Sequence, residues 1–100
     1  MMLNIIKEVN GDSLTMKLEG KLNTTAAMDL DIELRQALPE VKELVFDLEK
    51  LDYITSAGLR VLLFAQKTMA EQGRMTVRNV GPEILKILKM TGMAKMMTIE

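Results

Sequence analysis

The chain has 100 residues and a formal net charge of −1, which predict one domain over residues 1–100 and argue against nucleic acid as a partner. It contains no cysteine, which excludes disulfides, thiol catalysis and cysteine metal sites. It also contains no histidine, the commonest general base and metal ligand, so nothing in its composition suggests a cofactor.

The N-terminal segment predicts a β-hairpin. Apolar and polar residues alternate over residues 3–9 and again over residues 14–18, with Asn10-Gly11-Asp12 between the two runs. Alternation with a period of two gives each strand one buried face, and an Asn-Gly pair favours a tight turn. We therefore expect two antiparallel strands at the start of the chain.

A helix is predicted next, over about residues 24–38. Thr24 or Thr25 can cap its first turn with a side-chain oxygen, and a proline stops it. Met28 and Ile32 are four residues apart and fall on the side of this helix opposite its apolar stripe. We expect these two side chains to face solvent.

The middle of the chain predicts a buried strand, a loop and a second helix. The apolar run Leu44–Leu48 is typical of a strand covered on both faces, and residues 49–55 lead from it to a helix over about residues 56–72. Phe64 projects onto the polar side of this helix. It is the apolar residue that fits the helical pattern least, and we expect it on the surface.

The remaining elements complete an alternation of strands and helices. Residues 75–80 predict a strand, Pro82 begins a third helix over about residues 82–91, and residues 97–99 form a last strand fragment. The order predicts an α/β fold with a mostly parallel sheet and an antiparallel N-terminal hairpin. Sites in such sheets form where strands end and helices begin, and the junction of Thr55 and Ser56 is such a place.

Several segments resemble one family. The runs Val45-Phe-Asp-Leu48 and Leu51-Asp-Tyr-Ile-Thr-Ser-Ala-Gly-Leu-Arg-Val-Leu-Leu63 resemble the signature of STAS domains, particularly the bacterial anti-sigma factor antagonists. Gly20-Lys-Leu-Asn23 before the first helix and the tail Met90–Met97 extend the likeness. The resemblance covers essentially the whole chain, and it implies a single STAS-like domain.

The resemblance implies a binding switch and no enzymatic activity. Unphosphorylated antagonists of this family bind an anti-sigma factor serine kinase, which then releases its sigma factor and so allows transcription. The kinase phosphorylates the antagonist at a helix start and ends the interaction, and a serine/threonine phosphatase restores it. By this resemblance the chain is a phosphoprotein that acts as a kinase substrate and ligand.

Carried over by residue, the resemblance assigns the phosphate to Ser56. The family often has an aspartate, two hydroxyl residues and then Gly-Leu; here Thr55 takes the aspartate position and Ala57 the second hydroxyl position. Thr55 is a minor competing acceptor. A purely structural alternative makes Ser56 the cap of its helix and nothing more.

Partner contacts are predicted around this motif. For Asn23, and for Asp47 at the strand end beneath the motif, a structural role in organising the loops is as plausible as partner contact. Arg60 is a solvated helix residue that could also meet the partner. Phe64 lies one helical turn beyond Arg60, which favours a place in the interface. The predicted partner-binding residues are Asn23, Tyr53, Thr55, Ser56, Ala57, Gly58, Arg60 and Phe64.

Two other functional classes are alternatives to the phosphorylation switch. A STAS scaffold subunit of an ABC-type lipid transport system would use the same helix face with no phosphorylation. An enzyme is poorly supported, since the chain has no Gly-rich phosphate loop and no evident pair of cooperating carboxylates. No apolar run is long enough for a secretion signal or a membrane span, so we expect a cytoplasmic protein without membrane insertion.

Overall fold

Strands and helices alternate along the chain after an opening hairpin. The computed structural model describes residues 3–100. The elements are β1 Leu3–Asn10, β2 Ser13–Leu22, α1 Thr24–Ala37, β3 Glu43–Asp47, β4 Leu51–Ile54, α2 Ser56–Gln72, β5 Arg74–Arg78, α3 Pro82–Met90 and β6 Thr98–Ile99. A short 3₁₀ turn, Met93–Lys95, precedes the last strand.

One mixed sheet organises the domain. Its strands lie in the order β1-β2-β3-β5-β6, with β1 antiparallel to β2 and the remaining neighbours parallel. Because β2, β3, β5 and β6 follow one another in the same direction across the sheet, right-handed crossovers place all three helices on one face. The predicted α/β fold, with a mostly parallel sheet and an N-terminal antiparallel hairpin, is confirmed.

The core lies between this sheet and the helices. On β2 the side chains of Leu14, Met16 and Leu18 are buried on the helical face, whereas Thr15 and Lys17 between them are only partly covered. The alternation that predicted the strand thus identifies its buried face. The other face of the sheet carries mostly polar and charged side chains, with Ile6 and Val45 among them, and is not covered by any helix of residues 3–100.

A short strand was missed by the sequence analysis. Residues 51–54, predicted as loop, form β4, which pairs in parallel with the last residues of β2. The N–H of Gly20, whose φ is 107°, donates to the carbonyl of Lys50 at 2.9 Å. Since β2 shifts register after Gly20, it bonds β3 with its first half and β4 with its end.

The first helix differs from the prediction at its start. Its N-cap is Asn23, whose side-chain oxygen accepts from the N–H of Ala26 at 2.9 Å, so the prediction of Thr24 or Thr25 as the cap was wrong. An asparagine satisfies a free N–H as well as a threonine does. Met28 and Ile32 are 64% and 56% exposed, which confirms their predicted orientation.

The other two helices lie close to their predicted positions. The range of α2 matches residues 56–72, and α3 begins at Pro82 as predicted but ends at Met90, one residue early. The fourth predicted strand, over 75–80, is shifted to 74–78 in β5. Within residues 3–100, no helix combines the length and the apolar character needed to cross a membrane.

Candidate functional site

Two helix starts lie side by side at the carboxyl edge of the parallel strands. Leu22 at the end of β2 is the register partner of Ile54 at the end of β4. The next residues along each strand, Asn23 and Thr55, are the N-caps of α1 and α2. The N–H of Thr55 donates to the carbonyl of Leu22 at 3.0 Å, which fixes the two ends together. This edge therefore presents two positive helix ends.

Thr55 is the cap of α2, and its hydroxyl is fully engaged. The oxygen accepts from the N–H of Gly58 at 3.3 Å, and the hydroxyl donates to the carbonyl of Leu22 at 3.2 Å. The aspartate usual in the resembled family could accept the same bond from Gly58, so threonine preserves the capping function. The side chain is half-buried. These two bonds engage the hydroxyl that a kinase would have to phosphorylate.

Ser56 has a different environment from its neighbour. It is the first residue of α2 and is exposed, and within residues 3–100 its hydroxyl forms no hydrogen bond to another side chain or to the backbone. The structural alternative that made Ser56 the helix cap was wrong, because Thr55 performs that role. A free hydroxyl at the first helical position remains.

Gly58 holds the first turn of α2 against the sheet. A Cβ built on this residue would lie 2.7 Å from Cγ of Leu22 and 3.0 Å from Cγ1 of Ile54. Gly58 is buried, so its contribution to any partner surface is made through the position of the helix start. Its place in the motif is explained by close packing.

The exposed side chains around Ser56 are few. Tyr53 on β4 is 50% exposed, and Arg60 lies exposed one helical turn after Ser56, without an ion pair among the described residues. Ala57 is partly buried and packs against the core. The structure thus brings Asn23, Tyr53, Ser56 and Arg60 to one end of the domain.

Phe64 does not lie where the sequence analysis expected it. The ring is half-buried against the core, and the guanidinium carbon of Arg35 on α1 lies 4.2 Å from its centroid. The helical projection showed the polar side of α2 correctly but could not show that α1 covers part of it. Phe64 is therefore less exposed than expected, and its contact with a partner stays a prediction.

Asp47 forms a polar cluster that the partner-binding prediction did not include. It lies at the end of β3, is 8% exposed, and accepts from Nδ2 of Asn79 and from the N–H of Glu49, each at 3.1 Å. Burial alone would raise the pKa of Asp47, but these two bonds and the charges of Arg78 and Lys17 hold the pKa below its ordinary value. An acidic residue at the end of an otherwise apolar strand is the signal for it, and the expected loop-organising role of Asp47 is confirmed.

The cluster secures loops at the same edge of the sheet. Asn79 adopts a left-handed conformation with φ 58°, a conformation that asparagine tolerates better than most residues. Its bond to Asp47 ties the segment after β5 to the segment after β3. In the described part of the chain, no three acidic, histidine or cysteine side chains are grouped to hold a metal ion.

The sheet order and the helix-start motif together define an α/β domain of the STAS class. A family model described as Mlab, STAS domain matches residues 7–99, and the chain belongs to this STAS-domain family. The family membership confirms the resemblance drawn from the motif.

Comparison with individual proteins supports the same grouping. A Bordetella bronchiseptica protein, named as a proposed anti-sigma factor antagonist BtrV, is 34% identical over 77 residues; the match covers 75% of this chain, which spans 66% of that relative. The anti-sigma F factor antagonist of Paenibacillus polymyxa is 28% identical over 102 residues, covering 99% of this chain and 87% of that protein.

A solved structure shares the fold. The crystal structure of an anti-sigma factor antagonist from Mycobacterium paratuberculosis superposes with a TM-score of 0.88, covering 97% of this chain and 84% of that chain. The sequences are 18% identical, so the match speaks for the architecture alone.

Proposed function

We propose that the chain is an anti-sigma factor antagonist controlled by phosphorylation of Ser56. In its unphosphorylated form it binds an anti-sigma factor serine kinase in the cytoplasm, and so regulates sigma-factor-dependent transcription. The kinase phosphorylates Ser56 and ends the complex, and a serine/threonine phosphatase restores the binding form. The chain acts as ligand and substrate and is not itself an enzyme. Both curated relatives described above carry the name of this regulatory class.

The observation that carries the proposal is the contrast between two adjacent hydroxyls. Thr55 uses its hydroxyl in two bonds that hold the helix start, whereas Ser56 has an exposed hydroxyl with neither role. A kinase can modify Ser56 without breaking the cap. This contrast supports Ser56 over Thr55 as the acceptor.

The helix start can carry a phosphate at little cost to the fold. Phosphorylation adds roughly −1.5 to −2 charge at pH 7. The free N–H groups and the dipole of α2 favour negative charge at its first turn, and Asn23 marks the start of a second helix beside it. We therefore expect the domain to remain folded after modification.

A docked partner would experience the same phosphate differently. Contact with Tyr53, Ser56 and Arg60 would bury the modified side chain, and an uncompensated buried charge costs roughly 3–5 kcal/mol. Such a cost lowers an equilibrium constant by two or more orders of magnitude, since about 1.4 kcal/mol corresponds to tenfold. Binding is lost while the fold is retained.

The test requires a kinase, and the candidate to use is an anti-sigma factor kinase whose gene lies beside the gene for this chain. Incubation with this kinase and ATP is expected to add one phosphate, which peptide mass spectrometry places on Ser56. Ser56→Ala should remain unmodified, and Thr55→Val should still accept the phosphate at Ser56. Phosphate on another residue of the wild type would contradict the assignment. The absence of any phosphate after incubation with a kinase that is shown to be active would also contradict it.

The second candidate is a STAS scaffold subunit of an ABC-type lipid transport system. The matched family model is described by its STAS domain and not by a sigma-factor pathway, so the match is compatible with this candidate. Here the same surface would hold its partner permanently, and Ser56 would carry no phosphate. Neighbouring genes for a kinase and a phosphatase support the switch, whereas genes for transporter components and stable co-purification with them support the scaffold.

A further inference from the structure

The outer edge of β1 lacks a partner within residues 3–100. This strand has eight residues and pairs with β2 at every position from Leu3↔Gly20 to Asn10↔Ser13, without a bulge. It contains no proline. Proteins usually protect exposed edge strands with prolines, bulges or charged side chains. The two charged side chains of β1 are paired within the domain, Lys7 with Glu33 at 2.6 Å and Glu8 with Lys17 at 3.2 Å, so they leave the edge open to another strand.

The hairpin determines which backbone groups face outward. Asn10 and Ser13 flank a two-residue turn and so form a hydrogen-bonded pair, after which bonded and non-bonded pairs alternate along the ribbon. Every second residue from Asn10 back to Asn4 therefore directs its backbone N–H and C=O groups toward β2. The outward groups belong to Leu3, Ile5, Lys7 and Val9.

We propose that β1 pairs with β1 of a second copy of this chain, antiparallel about a twofold axis through Ile6. This register places Leu3 opposite Val9 and Ile5 opposite Lys7 of the other copy. It pairs all the outward backbone groups, and no other antiparallel register does so. The edge is thus complementary to itself.

The side chains agree with this register. Val9 is 75% exposed and would gain an apolar neighbour in Leu3. On the open face, Ile6 would meet Ile6 and Asn4 would meet Glu8 of the other copy. No two like charges stand directly opposite each other, an arrangement that would destabilise a sheet.

The helical face would add apolar area to the strand contact. A cleft beside the edge is lined by the apolar side chains of Leu3, Ile5 and Ile32, of which Ile32 is 56% exposed, and by three polar ones, Asp29, Glu33 and Gln36. A twofold axis perpendicular to the sheet keeps α1 of both copies on the same side, so the two clefts face each other. Stable interfaces bury roughly 1,200–2,000 Å² in total, and this apolar surface supplements what one strand pair provides. The proposal is independent of the proposed function.

Disulfide trapping tests the register, because the natural sequence has no cysteine. Ile6→Cys would place two thiols opposite each other at a non-hydrogen-bonded pair, with Cα atoms about 4.5 Å apart, within the range of a disulfide. Mild oxidation should yield a covalent dimer. Glu8→Cys is the matched control on the same face; its two thiols would lie about 13 Å apart, so it should form no disulfide-linked dimer.

Charge pairing gives a second readout. Ile6→Lys and Ile6→Asp should each be monomeric by sedimentation at concentrations where the wild type is a dimer. An equal mixture of the two should restore the dimer, since each lysine then faces an aspartate. The proposal fails if wild type stays monomeric at its solubility limit, if both cysteine variants cross-link equally, or if folded charge variants do not associate on mixing.

Discussion

Arg35 and Phe64 join the two helices that flank the candidate site. The guanidinium carbon lies 4.2 Å from the ring centroid, and Arg35 also bonds Asp31 at 3.0 Å on its own helix. The aromatic ring is therefore a contact between α1 and α2. Its first consequence concerns stability, whatever its role toward a partner.

Phe64→Ala is expected to lower the melting temperature of the domain. The ring is half-buried, so we expect a loss of about 2 kcal/mol, near half the cost of truncating a fully buried phenylalanine. Thermal unfolding followed by circular dichroism measures it. Lys67→Ala, exposed on the same helix, is the control and should leave the transition in place. An unchanged melting temperature for Phe64→Ala would show that the helix contact contributes nothing.

Gly58→Ala should also destabilise the fold, although alanine favours helices. The added methyl would meet Leu22 at 2.7 Å, and overpacking of this kind costs about 1–3 kcal/mol. Gly81→Ala is the matched control, because a Cβ there meets no atom within 4 Å. Urea titration compares the two variants. Equal midpoints for both would contradict the close-packing explanation of Gly58.

Asp47→Asn should reduce stability in a pH-dependent manner. The folded-state pKa of Asp47 lies below 3.8, so its stabilisation is complete above pH 3.8 and is lost as the pH falls through the folded value. We expect a cost of about 1.5–3 kcal/mol at pH 7. The difference in melting temperature from wild type should shrink below pH 3.8.

The control for that titration is Asp52→Asn, a change at an exposed carboxylate near the motif. At pH 7 its melting temperature should differ little from that of wild type, because the side chain is exposed. If Asp47→Asn shows a constant difference from pH 7 to pH 2, the charge of Asp47 is not the source of its effect.

Ser56→Asp separates the effect of charge on binding from its effect on folding. A carboxylate at the first helical position stabilises a helix by about 0.3–1 kcal/mol, so the melting temperature is expected to stay equal or rise slightly. Binding to the neighbouring-gene kinase, measured by calorimetry, should weaken at least tenfold. Ser56→Asn, which has the size of the aspartate variant but no charge, should bind the kinase like wild type. If both variants weaken binding equally, steric bulk and not charge is the cause.

The parts of the fold that depend on local periodicity were predictable from sequence. The ranges of α2 and α3 follow from apolar spacing, Pro82 and the residues that end each helix. Strand β4 could not be predicted in this way, because four residues with mixed burial carry little pattern. It exists because the end of β2 offers it backbone partners, and that is a tertiary effect.

The candidate site was likewise predictable only in part. Thr55 and Ser56 indicated its position at a helix start after a strand, and the structure then assigned the cap to Thr55 alone. The environment of Phe64 depends on Arg35, which is 29 positions away in sequence. A single-helix projection contains no information about such a neighbour.

From the split pairing of β2 we expect the motif to open separately from the rest of the sheet. The ladder that joins β4 to β2 spans only Gly20 to Leu22, whereas the first half of β2 is bound to β3 over five register pairs. Local fluctuations of a short ladder cost less free energy than global unfolding. The amide of Thr55, bonded to Leu22, is therefore a native-state hydrogen-exchange reporter of how often Ser56 becomes accessible in an extended conformation.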